Sequence, residues 1–256
     1  MLIDSIKSCY IDTSAKVSIV LKDLTNDTWM YRLDENRVVP SASTIKILIM
    51  IEALNQVLKG KYQFDQKIRI REEDKVKYSI IQDLTLDSYN FLDLIILMII
   101  VSDNTATNIL IDLLGYENIN RMAEDLGLKN TILSRKMLEF NAIKEGRQNY
   151  TTPMDMAVMM EGIYRKHILS PEMCELMIDI LKKQKYKDCL GRFLSEDVNI
   201  AHKTGALKNL SHDIGIFYLD NIDYLLGVFV TEASSDIQAK EIVGKVSKVV
   251  YDYYCN

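Results

Sequence analysis

The chain has 256 residues, 48% of them hydrophobic and 26% charged, with three prolines and ten glycines. This is the profile of a folded globular protein of one domain or two, with ample length for a large core and no room for long disordered or low-complexity stretches. A formal net charge of -5 argues against nucleic acid or an anionic membrane surface as partner, since both demand clustered Lys and Arg.

The first ten residues, Met1 to Tyr10, lack a basic start and a long apolar run, so they do not read as a signal peptide. The chain as it stands is expected in the cytoplasm, and outside it if a leader has been removed. Lys16 to Leu21 and Asp27 to Leu33 carry β-branched and aromatic residues around Lys22 to Asn26, which predicts a hairpin. Pro40-Ser41-Ala42-Ser43 then supplies a stop and a cap. From Thr44 to Gly60 apolar residues recur at helical spacing through Ile47, Leu48, Ile51 and Leu54, which puts Ser43 at a helix N-terminus.

Helical signals dominate from about residue 60 to 195: Phe91 to Val101, Thr105 to Leu114 closed by Gly115, Ile119 to Leu126 closed by Gly127, Pro153 to Arg165, and Pro171 to Lys183. The apolar run from Phe91 is interrupted by Asp93 and falls far short of the roughly 20 residues that span a bilayer, so it predicts a core helix. Three strands follow, Asn199 to Thr204, Ser211 to Leu219 and Tyr224 to Val230. The chain then ends on a helix with Ile242, Val243, Val246, Val249, Val250 and Tyr253 on one face.

These elements predict an α/β plus all-α fold. The N-terminal hairpin and the three late strands form an antiparallel five-stranded sheet flanked by helices, with the first and last helices packed on it. Residues 1–59 and 196–256 would make a discontinuous sheet domain and residues 60–195 an inserted helical domain, with the site in the cleft between them. Cys9, Cys174, Cys189 and Cys255 are scattered, without Cys-x-x-Cys or a nearby His pair, and are expected to be ordinary thiols. No metal or cofactor is expected.

Three short motifs carry chemistry. Ser43-Thr-Ile-Lys46 sets a hydroxyl and an ammonium on one helix face within reach of each other. A serine becomes a nucleophile when a base takes its proton, and a lysine can be that base once burial or a neighbouring cation lowers its pKa. Ser102-Asp-Asn104 falls between two helices, and Lys203-Thr-Gly205 falls at the end of a strand. Each alone also reads blandly, as a capped helix, an N-cap or a strand bulge. Their conjunction, in this order and on these elements, is a signature known for class A β-lactamases and penicillin-binding proteins.

The surrounding residues resemble class A β-lactamases too: Pro40-Ser-Ala-Ser-Thr-Ile-Lys46, Ser102-Asp-Asn-Thr-Ala-Thr-Asn-Ile-Leu110, and Thr151-Thr152-Pro153 after an omega-like loop. The resemblance runs from about Val17 to Tyr253 and implies a β-lactamase/transpeptidase-like fold. It further implies that Ser43 attacks the lactam carbonyl with Lys46 as base, and that the N–H groups of Ser43 and Ala206 form the oxyanion hole. Ser102 would relay a proton to the departing nitrogen, Asn104 would hold a side-chain amide, and Lys203 with Thr204 would bind a carboxylate. His212 falls where the family often has an arginine that assists the carboxylate, and a histidine does so only when protonated.

One departure stands out. The family activates its deacylating water with a glutamate, and in Ser134-Arg-Lys-Met137-Leu-Glu139-Phe-Asn141 alignment on Asn141 puts Met137 at that place and Glu139 two positions late. A shift in the loop would let Glu139 serve, and a surface carboxylate is the alternative. Three readings follow: a class A β-lactamase-like serine hydrolase, a penicillin-binding protein or D-Ala-D-Ala peptidase or esterase with slow deacylation, and a catalytically silent binding module. The first two take a small-molecule β-lactam or peptidoglycan-like substrate, and the chain is expected to be a monomer.

Overall fold

The last three strands are buried along almost their whole length, polar residues included, the pattern of strands covered on both faces. The computed structural model, which describes residues 2–255, explains why. The chain begins with α1 (Leu2–Ser8), followed by β1 (Lys16–Asp23), β2 (Thr28–Leu33) and the two-residue β3 (Val39–Pro40). A 3-10 turn (Ala42–Ile45) leads into α2 (Lys46–Leu58). The helical block comprises β4 (Lys67–Arg69), α3 (Ile80–Asp83), β5 (Ser88–Asn90), α4 (Phe91–Ile100), α5 (Asn104–Leu114), α6 (Tyr116–Asp125), α7 (Phe140–Lys144), β6 (Tyr150–Thr151), α8 (Pro153–Tyr164) and α9 (Pro171–Lys182). β7 (Ile200–Leu207), β8 (Leu210–Tyr218), β9 (Asp223–Thr231) and α10 (Asp236–Cys255) complete it.

The five long strands form one antiparallel sheet in the order β2-β1-β9-β8-β7, the expected hairpin plus three late strands. The hairpin is longer than its sequence pattern indicates, because β1 continues through a bulge at Leu21/Lys22 to Asp23. There the Asp23 carboxylate accepts from the Asn26 N–H at 2.8 Å and closes the turn, an Asx device that replaces a glycine.

One sheet face contributes Val20, Ile214, Ile216, Leu225 and Phe229 to a core continuous with α2, α4, α5 and α8. The other contributes Ile19, Leu21, Phe217, Leu226 and Val228, covered by Ile6 of α1 and by α10. The expected first helix on the sheet, the one after Ser43, is therefore not the one found there. α2 buries every residue from Lys46 to Leu54 and packs among α4, α5, α6 and α9, since a helix apolar all round must be covered all round. α10 buries Ile242, Val243, Val246 and Val250 as expected but leaves Tyr253 half exposed.

Helix ends follow local chemistry. Pro153 and Pro171 each open a helix at its first turn, behind Thr152 and Ser170 whose hydroxyls cap Asp155 and Met173. Gly115 and Gly127 sit at φ 82 and 70, past the ends of α5 and α6. Cys9, Cys174, Cys189 and Cys255 are all free thiols. Among the described residues no helix is long and apolar enough to cross a membrane.

Candidate active site

Ser43 is placed by two neighbours. β3 pairs with β6 through Val39 and Thr151, and the Ser41 N–H donates to the Asn149 carbonyl at 2.9 Å, so the turn is tied to the long loop 131–149. Ala42 then takes φ 47, a left-handed value that a residue with a Cβ adopts only under tertiary constraint. On the other side runs β7. A methyl group on Gly205 would lie 3.1 Å from the Ser43 nitrogen and 3.1 Å from the Ala42 Cβ, so the glycine of Lys-Thr-Gly is there for close backbone approach.

The three motifs converge. Lys46 Nζ donates to the Ser102 carbonyl at 2.8 Å and to Asn104 Oδ1 at 3.0 Å, and lies 3.1 Å from Ser102 Oγ. Lys203 Nζ approaches the same hydroxyl at 3.1 Å and donates to the Thr204 carbonyl at 2.9 Å. Spacing alone puts Lys46 beside Ser43. In the structure its hydrogen bonds go to Ser102 and Asn104.

Both lysines are fully buried. Burial, reinforced by the Lys203 cation and opposed by Asp103, holds the Lys46 amine well below the ordinary lysine range. Burial brings Lys203 down to about 7, against the pull of Asp213 and Cys189. Two ammonium groups sharing one hydroxyl out of water repel strongly, so burial and mutual repulsion both disfavour the doubly charged pair.

Ser102 holds its hydroxyl between the two amines at φ 54, a strained value for a serine. Asp103 secures the strain: its carboxylate caps α5 through the Ala106 N–H at 2.8 Å and accepts from Ser79 Oγ at 2.9 Å and the Ile81 N–H at 3.1 Å. The middle residue of Ser-Asp-Asn is thus the cap, which frees Ser102 and Asn104 to face Lys46. Thr204 is buried opposite Asp213, and Ala206 is exposed opposite Ser211.

His212 lies on β8 opposite Gly205, fully buried, with its Nε2–H donating to the Pro40 carbonyl at 3.0 Å and its ring 4.8 Å from that of Phe229. Burial lowers its pKa to about 4. The ring is neutral at neutral pH and offers no cation to a carboxylate; it buttresses the strand before Ser43 instead.

Glu139 is exposed, and its Oε2 accepts from the Lys136 N–H at 2.9 Å. Its charge acts on Arg135, Arg147 and Tyr116, whereas the charges acting on Lys46 are Lys203 and Asp103. Met137 is buried, and Asn108 holds its backbone from both sides, Oδ1 accepting from its N–H at 2.8 Å and Nδ2 donating to its carbonyl at 3.2 Å. Asn108 stands one turn after Asn104 on α5, so the two amides share a face about 6 Å apart. That brings Met137 toward the Lys46 end of the site. Asn108 escaped the sequence reading, although the i, i+4 spacing in Asn104-Thr-Ala-Thr-Asn108 marks it.

Known proteins share the family and the fold. Residues 1–254 match the family model described as the beta-lactamase enzyme family. Beta-lactamase BRO-1 of Moraxella catarrhalis is 27% identical over 231 residues, covering 85% of this chain and 74% of that protein. The crystal structure of a beta-lactamase from Sphaerobacter thermophilus superposes with a TM-score of 0.91 at 26% identity, covering 98% of this chain and 96% of that one. A mutant of PBP-A, solved as its acyl-enzyme complex with penicillin G, gives 0.88 at 26% identity, covering 99% and 95%.

Proposed function

Because the chain belongs to the beta-lactamase enzyme family, we propose that it opens β-lactam rings by acyl transfer to the Ser43 hydroxyl. The observation that carries this reading is the buried pair of amines meeting at Ser102 Oγ, 3.1 Å from each. A neutral Lys46 has two N–H bonds and one lone pair. The Ser102 carbonyl and Asn104 Oδ1 take the two hydrogens, and the lone pair, facing the Ser102 hydroxyl at 3.1 Å, is the acceptor for a proton from Ser43.

In the first half-reaction Ser43 Oγ bonds to the lactam carbonyl carbon as its proton passes to Lys46. The oxyanion that forms is met by the N–H groups of Ser43 and Ala206, an electrostatic contribution that is the largest single factor in many acyl transfers. The ring C–N bond then breaks, with the proton passing from Lys46 through Ser102 to the nitrogen. Lys203 with Thr204 holds the substrate carboxylate, and Asn104 its side-chain amide. The chemistry draws on no metal or cofactor.

The second half-reaction favours a second reading. Met137 occupies the loop position nearest Asn108, and Glu139 is exposed and bonded to Lys136, so among the described residues the carboxylate whose charge acts on Lys46 is Asp103, already engaged by Ser79, Ile81 and Ala106. A penicillin-binding protein, or a D-Ala-D-Ala peptidase or esterase, shares the acylating residues and releases the acyl group slowly. Intact-mass spectrometry after penicillin G separates the readings. An adduct of the whole drug that persists for minutes and vanishes in Ser43→Ala is expected. Rapid nitrocefin turnover surviving Glu139→Gln would falsify slow release, and absence of both adduct and turnover would leave the silent binding module.

A further inference from the structure

A second cavity opens beside the start of β7, enclosing about 910 Å³, and none of Ser43, Lys46, Ser102, Asn104 or Lys203 lines it. His202 forms part of its wall. Consecutive side chains of a strand point to opposite faces, so His202 turns away from the side that Lys203 serves. Its side chain is 3% exposed and its Nδ1 lies 3.0 Å from both oxygens of Asp213, which also accepts from the Leu190 N–H at 3.0 Å. The carboxylate fixes the proton on Nδ1 and leaves Nε2, which has no partner among the described residues, on the cavity side.

Three cations line the wall, and Lys187 is taken up by the Glu196 carbonyl at 3.0 Å, which leaves two without an ion pair among the described residues. The Arg192 Nε is buried with no hydrogen-bond partner, and the guanidinium lies 5.6 Å from the Phe193 ring centre. The Lys182 ammonium sits 4.0 Å over the Tyr218 ring. Of the acids on the wall, Asp188 is taken by Lys240, and Glu196 and Asp197 are exposed. Phe193, Leu194 and Val198 supply an apolar shelf beside them.

We propose that this cavity binds a small organic anion carrying an apolar ring or chain, with the anionic group on Arg192 and Lys182 and the apolar part on Phe193, Leu194 and Val198. This site is separate from the Ser43 cleft and independent of what that cleft does.

Phenyl phosphate is a suitable probe, titrated into the full chain and followed by calorimetry. Saturable binding is expected, unchanged in Ser43→Ala and in Lys203→Gln, and weakened about tenfold by Arg192→Gln or by Lys182→Gln, each of which removes one charge-assisted contact. Inorganic phosphate and phenol, each with half of the recognised chemistry, bind more weakly. Neutralising the exposed acids at the rim, Glu196→Gln with Asp197→Asn, tightens binding. Lys182 is exposed, so its substitution leaves the fold intact and keeps the test decisive even if Arg192→Gln misfolds. Binding lost in Lys203→Gln, binding indifferent to both cation variants, or no binding at millimolar probe overturns the proposal.

Discussion

Replacing Lys203 by methionine, similar in length and uncharged, tests the electrostatics of the site without touching the nucleophile. In the unfolded chain Lys203 titrates at its ordinary value of 10.5, and in the fold at about 7. Between those values the unfolded chain holds a proton that the folded one has shed. Stability therefore carries a penalty below pH 7 that is relieved as pH rises, at up to about 1.4 kcal/mol per unit. From pH 7 to 9 the gain from Lys203 alone integrates to about 2 kcal/mol. The Cys189 thiol, pushed up to about 12, works in the opposite sense but only above its ordinary value of 9.0, outside that window. Urea unfolding at half-unit steps, with a constant denaturant slope as the sign of two-state behaviour, measures the rise directly. The wild type should steepen relative to Lys203→Met by about 2 kcal/mol across the window. Parallel curves would mean that Lys203 is not held near neutrality by burial, and the assignment of charge in the site would fall with it. The same titration should raise the KM of carboxylate-bearing substrates above pH 7 in the wild type, leaving a high, pH-independent KM in the variant.

Met137→Glu should place a carboxylate where Asn108 presents the loop backbone and shorten the lifetime of a penicillin adduct on Ser43 by at least about 100-fold, the scale of a positioned general base. An unchanged lifetime in a folded variant, read by intact mass, would refute the account of slow release. Gly205→Ala should push the added methyl against the Ser43 nitrogen, cost about 1–3 kcal/mol in thermal or urea unfolding, and slow acylation more than tenfold; a normal acylation rate would show that the close approach is dispensable. Asp103→Ala removes the α5 cap and the acceptor of Ser79 and Ile81 together, and should lower stability by about 2–4 kcal/mol, with loss of acylation because Ser102 is no longer held at φ 54. As pH falls from 6.5 toward 4, His212, buried neutral with its pKa lowered to about 4, should take stability away, and His212→Gln should flatten that part of the curve.

The strands, most helices and the three motifs were legible because each is written in contiguous residues: alternating β-branched runs, apolar residues at 3.6 spacing, prolines and glycines at helix ends. The ribbons β3–β6 and β4–β5 were not, since two or three residues show no period, and their pairing joins segments far apart in the chain. Motif spacing told which side chains share an element but not which partners they choose. Lys46 was read as Ser43's neighbour and is found bonded to Ser102 and Asn104. His212 was read as a site for a cation, yet whether a histidine is charged depends on burial that β8, β9 and Pro40 create together. The His202–Asp213 pair was invisible for a similar reason, because eleven residues separate the two and only the register of β7 against β8 brings them together.

α2 begins at Lys46, directly after the Ser43 turn, and no residue from there to Leu54 reaches solvent. The amides of such a segment exchange with deuterium only when the whole molecule opens, whereas a site carried on surface loops can breathe by itself. Ser43 and Lys46 thus adjoin a segment that should open only with the whole molecule. Heat or denaturant should abolish activity and the fold in a single step, with no folded but inactive form in between.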